Sequence, residues 1–150
     1  MQPLLVSACL LGEPCRYDGK SKPSEVVMAF AKRWVEQGGR VVAVCPEQLG
    51  GLPTPRSAAD LRGGDGHAVL DQKAFVRRVE DDGDVTREFV GGAKEAAEQA
   101  PNARLAILKA RSPSCGVGWT EIDGKVAAGD GVFAALLRHR GVELCSDEQL

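Results

Sequence analysis

A single-domain α/β fold, three layers around a mostly parallel β-sheet, is what this sequence predicts, on three observations. Short aliphatic and β-branched runs alternate with longer segments whose apolar residues recur at near-3.6 spacing. The first 45 residues already complete strand, helix and strand, the unit a right-handed parallel crossover needs. A chain of 150 residues with 43% hydrophobic content is long enough for one sizeable core, and its length does not divide residues 1–150 further.

The elements follow in order. Leu4 to Ala8 is an apolar run ending in Cys9-Leu10-Leu11-Gly12, read as a buried first strand and a loop that continues through Cys15-Arg16-Tyr17-Asp18-Gly19. Pro23-Ser24-Glu25 starts a helix whose inner face carries Val26, Val27, Phe30, Ala31, Trp34 and Val35, and Gly38-Gly39 ends it. Val41-Val42-Ala43-Val44 is the second strand, with Cys45 at its end. From 46 to 55 the Gly and Pro content excludes a regular element and predicts an ordered, ligand-facing loop. Residues 61–83 carry turn signals around short strands.

A helix is expected over residues 87–99, with Phe89, Val90, Ala93, Ala96 and Ala97 inward. Leu105-Ala106-Ile107-Leu108 is a third buried strand, delivering Lys109-Ala110-Arg111-Ser112-Pro113-Ser114-Cys115-Gly116. Trp119 to Ile122 and Lys125 to Ala127 form a hairpin about Asp123-Gly124. A last helix near 131–140 precedes Val142-Glu143-Leu144-Cys145. Strands alternating with helices place helices on both faces of the sheet.

Charge and targeting signals narrow the function. Lys plus Arg number 19 and Asp plus Glu 21, so a net charge of -2 gives no footprint for long nucleic-acid backbones, DNA included. A small or neutral ligand fits better, although Arg16, Lys20 and Lys22 would make a local basic patch if transfer RNA were the partner. Met1-Gln2-Pro3 runs straight into Leu4-Leu5-Val6 without the n-region or long h-region of a signal peptide, and no apolar run approaches a membrane span. The expected address is the cytoplasm, where thiols stay reduced, so five cysteines point to metal or catalysis.

In open parallel sheets ligands bind beyond the carboxyl ends of the strands, and Cys9, Cys45 and Cys115 each follow such an end. Any one of them taken alone reads as a small buried hydrophobe; three in equivalent loops, each beside Gly or Pro, read as converging thiolates. Thiolates select zinc, copper(I) or iron–sulfur clusters. Zinc falls behind a cluster because paired C-x2-C knuckles are absent and His67 and His139 have no matching spacing. Cys15 is close enough in sequence to Cys9 to share a metal, or is a resolving or packing thiol; Cys145 stands apart and reads as structural.

Glu47, two residues after Cys45, is either a general acid or base or a surface carboxylate capping a loop. Ser112 and Ser114 are either donors to a substrate and a proton relay or ordinary turn residues. Arg56, Lys109 and Arg111 put positive charge near the same rim, for an anionic cluster or substrate, or are solvated surface. Arg16, Tyr17 and Asp18 clamp the first loop.

Val6-Ser7-Ala8-Cys9-Leu10-Leu11-Gly12, Cys15-Arg16-Tyr17-Asp18-Gly19, Cys45-Pro46-Glu47, Gly50-Gly51-Leu52-Pro53-Thr54-Pro55-Arg56 and residues 109–116 together resemble the thiouracil desulfidase family over nearly the whole chain. The resemblance implies a 4Fe-4S cluster held by three cysteines, one iron left open for the sulfur of a thiolated pyrimidine, and a non-redox desulfuration. It implies Cys9, Cys45 and Cys115 as ligands with Cys15 as substitute, Glu47 as acid or base, and Ser112 or Ser114 orienting the pyrimidine or relaying its proton. Arg56 and Lys109 stand as substrate-binding candidates. The chain departs from the pattern at Ser57-Ala58-Ala59-Asp60, where further proline and a glutamate are usual, and at Phe133, where a small polar residue is. The competing readings are a non-catalytic cluster module in sulfur trafficking or redox sensing, and a metal-free thiol enzyme.

Overall fold

The computed structural model describes residues 2–150. Strand β1 (Pro3–Ser7) passes through a 3-10 turn at Ala8–Leu11 and a loop into helix α1 (Glu25–Glu36), then β2 (Arg40–Val44) and the short helix α2 (Pro46–Leu49). Next come β3 (Ala59–Arg62), α3 (Gly66–Leu70) and β4 (Phe75–Arg78), followed by α4 (Thr86–Glu98) and β5 (Leu105–Leu108). The hairpin β6 (Trp119–Ile122) and β7 (Lys125–Ala128), helix α5 (Val132–His139) and β8 (Glu143–Ser146) complete the chain.

The main sheet has order β2-β1-β5-β8 and every pair in it is parallel. Period-2 alternation divides its side chains between two faces. Leu4, Val6 and Ile107 pack on one side with Val27 of α1 and the half-buried Phe30 and Trp34. Leu5, Ala106 and Leu108 pack on the other with Phe89, Ala93, Ala96 and Ala97 of α4 and Val132 to Ala134 and Leu137 of α5. The three layers are therefore α1, the parallel sheet, and α4 with α5.

A second sheet, order β4-β3-β6-β7, joins the weakly patterned 59–78 region to the hairpin, and contributes Leu61, Val76 and Ile122 to the same core as α4. In the hairpin turn Asp123 and Gly124 both take positive φ, 51° and 85°, as a type I′ turn requires.

Two local readings are corrected. Val26 and Val35 of α1 are exposed rather than inward; at 100° per residue each lies roughly 90° from the stripe through Val27, Phe30, Ala31 and Trp34. The Gly- and Pro-rich segment after Cys45 does contain a regular element, one helical turn. Pro46 sits at its first position, where a fixed φ and a missing N–H cost nothing, and the extended Cys45 precedes it.

Candidate active site at the carboxyl ends of the parallel strands

The chain steps from β1 outward to β2 and later returns to pair β5 on the other side of β1. That reversal opens a crevice at the carboxyl ends of the strands, the usual ligand position in such sheets. A cavity of about 260 Å³ lies there, lined by Cys9, Cys15, Cys45 and Cys115, and by Glu47, Arg56, Lys109, Ser112 and Ser114. Cys9 comes from the 3-10 turn after β1, Cys45 from the junction of β2 and α2, and Cys115 from the loop after β5; the fourth, Cys15, is carried in by the loop after the 3-10 turn. Cys145, on β8, is not among the lining residues.

The thiols are crowded and partly shielded. Burial pushes the Cys115 thiol up to about 12, opposed by hydrogen bonds with Ser7 and Ser114. Contact with Cys15, then burial, drives Cys45 further up. Cys15 is lowered by Cys45 but raised more by Cys9 and by burial together, to about 11. Cys45 Sγ also lies 3.6 Å from the Cys15 carbonyl oxygen. Among the described residues no three His, Cys, Asp or Glu side chains converge on a single-ion point. The four thiols instead surround a volume, which suits a polynuclear cluster better than one ion.

Glu47 is built into the wall by helix α2. One of its oxygens accepts from Arg56 Nε at 2.9 Å and the other from the Ser114 hydroxyl at 2.8 Å. Ser112 Oγ lies 3.0 Å from Ser114 Oγ and accepts from the backbone N–H groups of Ser114 and Cys115. Each hydroxyl has one hydrogen. With the Ser114 hydrogen given to Glu47, Ser112 donates to Ser114, so the order Ser112, Ser114, Glu47 is a directed chain of donors ending on a carboxylate. The turn role and the relay geometry of the two serines coexist.

Arg56 is largely occupied by the protein. Beyond Glu47 it donates through Nη1 to the Pro53 carbonyl and Thr54 Oγ1, and through Nη2 to the Cys15 carbonyl. Its side chain is 6% exposed and that of Glu47 14%. Four of its five N–H groups thus have protein partners. Lys109 lines the cavity with Nζ 3.1 Å from the Ala110 carbonyl oxygen. Arg111, also at the rim, takes φ of 64° and pairs with Glu148. Arg16 pairs with Asp18 at 3.6 Å and lies over the Tyr17 ring at 5.8 Å, a clamp made of an ion pair and a cation–π contact.

Sequence reasoning passed over Ser7. This buried hydroxyl accepts from Lys109 N at 2.9 Å, tying the end of β1 to the end of β5, and faces Cys115. The available signal was a hydroxyl at the end of an otherwise aliphatic strand. The two histidines, set aside on spacing, are brought together at 3.0 Å, and neither lines the cysteine cavity.

A family model for 2-thiouracil desulfurase matches residues 4–149. The chain belongs to that family. Among relatives of this desulfurase-family chain is the uncharacterised protein YbbK of Bacillus subtilis (strain 168), 40% identical over 98% of this chain and 97% of its own length. A solved structure of the 4Fe-4S-dependent thiouracil desulfidase TudS is 41% identical, superimposes with a TM-score of 0.79, and is matched over 100% of this chain and 93% of that one. The three-layer α/β architecture read from the sequence is thus the architecture of a desulfidase.

Proposed function

We propose that this protein is an iron–sulfur-dependent desulfidase converting a thiolated pyrimidine, thiouracil or thiouridine, to the oxo form and hydrosulfide in the cytoplasm. The observation that carries the reading is the Ser112–Ser114–Glu47–Arg56 chain of hydrogen bonds running into the same cavity as four cysteines. Soft donors around a volume fit a 4Fe-4S cluster. Cys9, Cys45 and Cys115 would hold it, with Cys15 as the substitute ligand. When bound, the cluster supplies a Lewis-acidic iron for the thiocarbonyl sulfur.

The chain's own residues then account for the protons. Glu47 takes a proton from the water whose oxygen adds to the thiocarbonyl carbon, and gives it up as the carbon–sulfur bond breaks. Ser114, donating to Glu47, and Ser112 behind it orient the pyrimidine and pass the proton. Arg56 holds the carboxylate in place, with one N–H left for substrate, and Lys109 adds positive charge at the mouth. Water provides the oxygen, sulfur leaves as hydrosulfide, and no net electrons are transferred. A free base or nucleoside is preferred over transfer RNA because a net charge of -2 offers little to a phosphate backbone.

Anaerobic reconstitution with iron and sulfide quantitation, a visible spectrum, and assay of hydrosulfide released from 4-thiouracil and 4-thiouridine test this reading. Cluster formation with release is expected. An intact cluster with no release from either compound overturns it in favour of a sulfur-trafficking module, and absence of any cluster removes the iron–sulfur assignment itself.

A further inference from the structure

The chain contains two histidines, 72 positions apart, and the fold sets them ring to ring. His67 Nδ1, on α3, lies 3.0 Å from His139 Nε2, at the end of α5, with ring centroids 5.1 Å apart. The other nitrogen of His67, Nε2, lies 2.8 Å from Asp130 Oδ2. Asp130 is 6% exposed and is itself fixed by Arg138 Nε at 2.7 Å and by the Gly118 N–H at 2.8 Å.

Asp130, ionised, accepts from Nε2–H of His67, and in the neutral ring Nδ1 then carries a lone pair directed at His139. A histidine whose far nitrogen is anchored on a carboxylate is the usual form of a metal-ligating imidazole, oriented and made more basic by that partner. His139 is exposed, so moving its proton to Nδ1 turns the facing Nε2 into a second lone pair at no cost in buried groups.

The 3.0 Å separation is that of an N–H···N hydrogen bond between the rings, whose proton a shared cation would replace. An ion about 2.05 Å from both nitrogens at that spacing would subtend roughly 94°, close to the right angle of tetragonal copper(II) and nickel(II), once each ring turns its lone pair off the N···N line, and roughly 0.3 Å more separation reaches the tetrahedral spacing of zinc. We propose that His67 and His139 form a surface site for a divalent cation of the copper, nickel and zinc class, distinct from the cysteine cavity. Among the described residues no third His, Cys, Asp or Glu joins the pair, so water fills the remaining positions.

With only two histidines in the chain, long-range 1H–15N spectra of the imidazoles read the site directly. Zinc is titrated anaerobically into the cluster-loaded protein. The expected result is a saturable shift of His67 Nδ1 and His139 Nε2 with one midpoint and one equivalent. His139→Gln, at an exposed position, is expected to weaken the His67 response at least about tenfold, and Asp130→Asn to weaken binding about 10–100-fold. Zinc that leaves both rings unmoved, zinc captured by thiols without a ring shift, or an unchanged His67 response in His139→Gln overturns the proposal.

Discussion

Ser114 Oγ lies 2.8 Å from Glu47 Oε2, joining residues 67 positions apart, one on helix α2 after β2 and the other on the loop after β5. The contact makes the base and its hydroxyl partner one unit, and it allows the two roles to be separated by mutation. Glu47→Gln keeps the shape and the bond to Ser114 but removes the proton acceptor. With the cluster intact by its visible spectrum, hydrosulfide release from 4-thiouracil is expected to fall about 10²–10⁴-fold. Ser114→Ala removes one hydrogen bond to an ion-paired carboxylate, about 1.5–3 kcal/mol, and is expected to cost roughly 10–100-fold.

Arg56 tests the difference between holding Glu47 and holding substrate. Its fork serves Glu47, Thr54, Pro53 and Cys15 at once, a geometry the single ammonium of lysine does not reproduce. Arg56→Lys is therefore expected to lower kcat with KM nearly unchanged. A rise in KM at full kcat would instead show that its main contribution is uniform substrate binding.

How much of this was legible in the chain depended on sequence distance. Cys9, Cys45 and Cys115 could be placed together because each ends a strand in its own local pattern, and parallel topology brings those ends to one edge. Cys15 could be tied to Cys9 only by nearness in sequence, as a substitute ligand, and Ser7 not at all, since loop path and hydroxyl direction are tertiary facts. The second sheet escaped because its strands are four residues long and one of its pairings, Leu61 with Ile122, spans 61 positions. His67 and His139 were dismissed on spacing, and the spacing was irrelevant once α3 and α5 packed together.

Helix α2 owes its position to two glycines. A Cβ on Gly92 of α4 would stand 1.9 Å from the Pro46 carbonyl oxygen, and one on Gly50 would stand 2.0 Å from the Glu88 carbonyl oxygen. Both obstacles are backbone, so neither can swing aside. Gly92→Ala is expected to destabilise the fold by about 1–3 kcal/mol despite the better helix propensity of alanine. For a chain of this size each kcal/mol is worth roughly 2–4 °C in Tm, which a calorimetric melt resolves. Because α2 carries Glu47, the activity of the still-folded variant is expected to fall as well, whereas Gly91→Ala, with nothing near its Cβ, is expected to leave activity unchanged and to raise stability by about 0.5–1 kcal/mol through helix propensity alone.

Asp130 gives the fold an acid-sensitive element. Burial alone would raise its pKa, but the hydrogen bonds from Arg138, the Gly118 N–H and His67 outweigh it and hold the carboxyl below its ordinary value of 3.8. A carboxylate depressed in the folded state binds fewer protons there than in the unfolded chain, so its stabilisation is present above about pH 4 and is lost as pH falls through the depressed folded value. The carboxylate also ties Gly118 to the start of α5, since the neighbouring Gly131 N–H donates to Gly116. Asp130→Asn is expected to cost about 1–3 kcal/mol near neutral pH. The difference between wild type and variant, followed by urea unfolding from pH 7 downward, is expected to hold constant to about pH 5 and then narrow. A gap that stayed constant to pH 2 would show that the acid titration of Asp130 makes no contribution to stability.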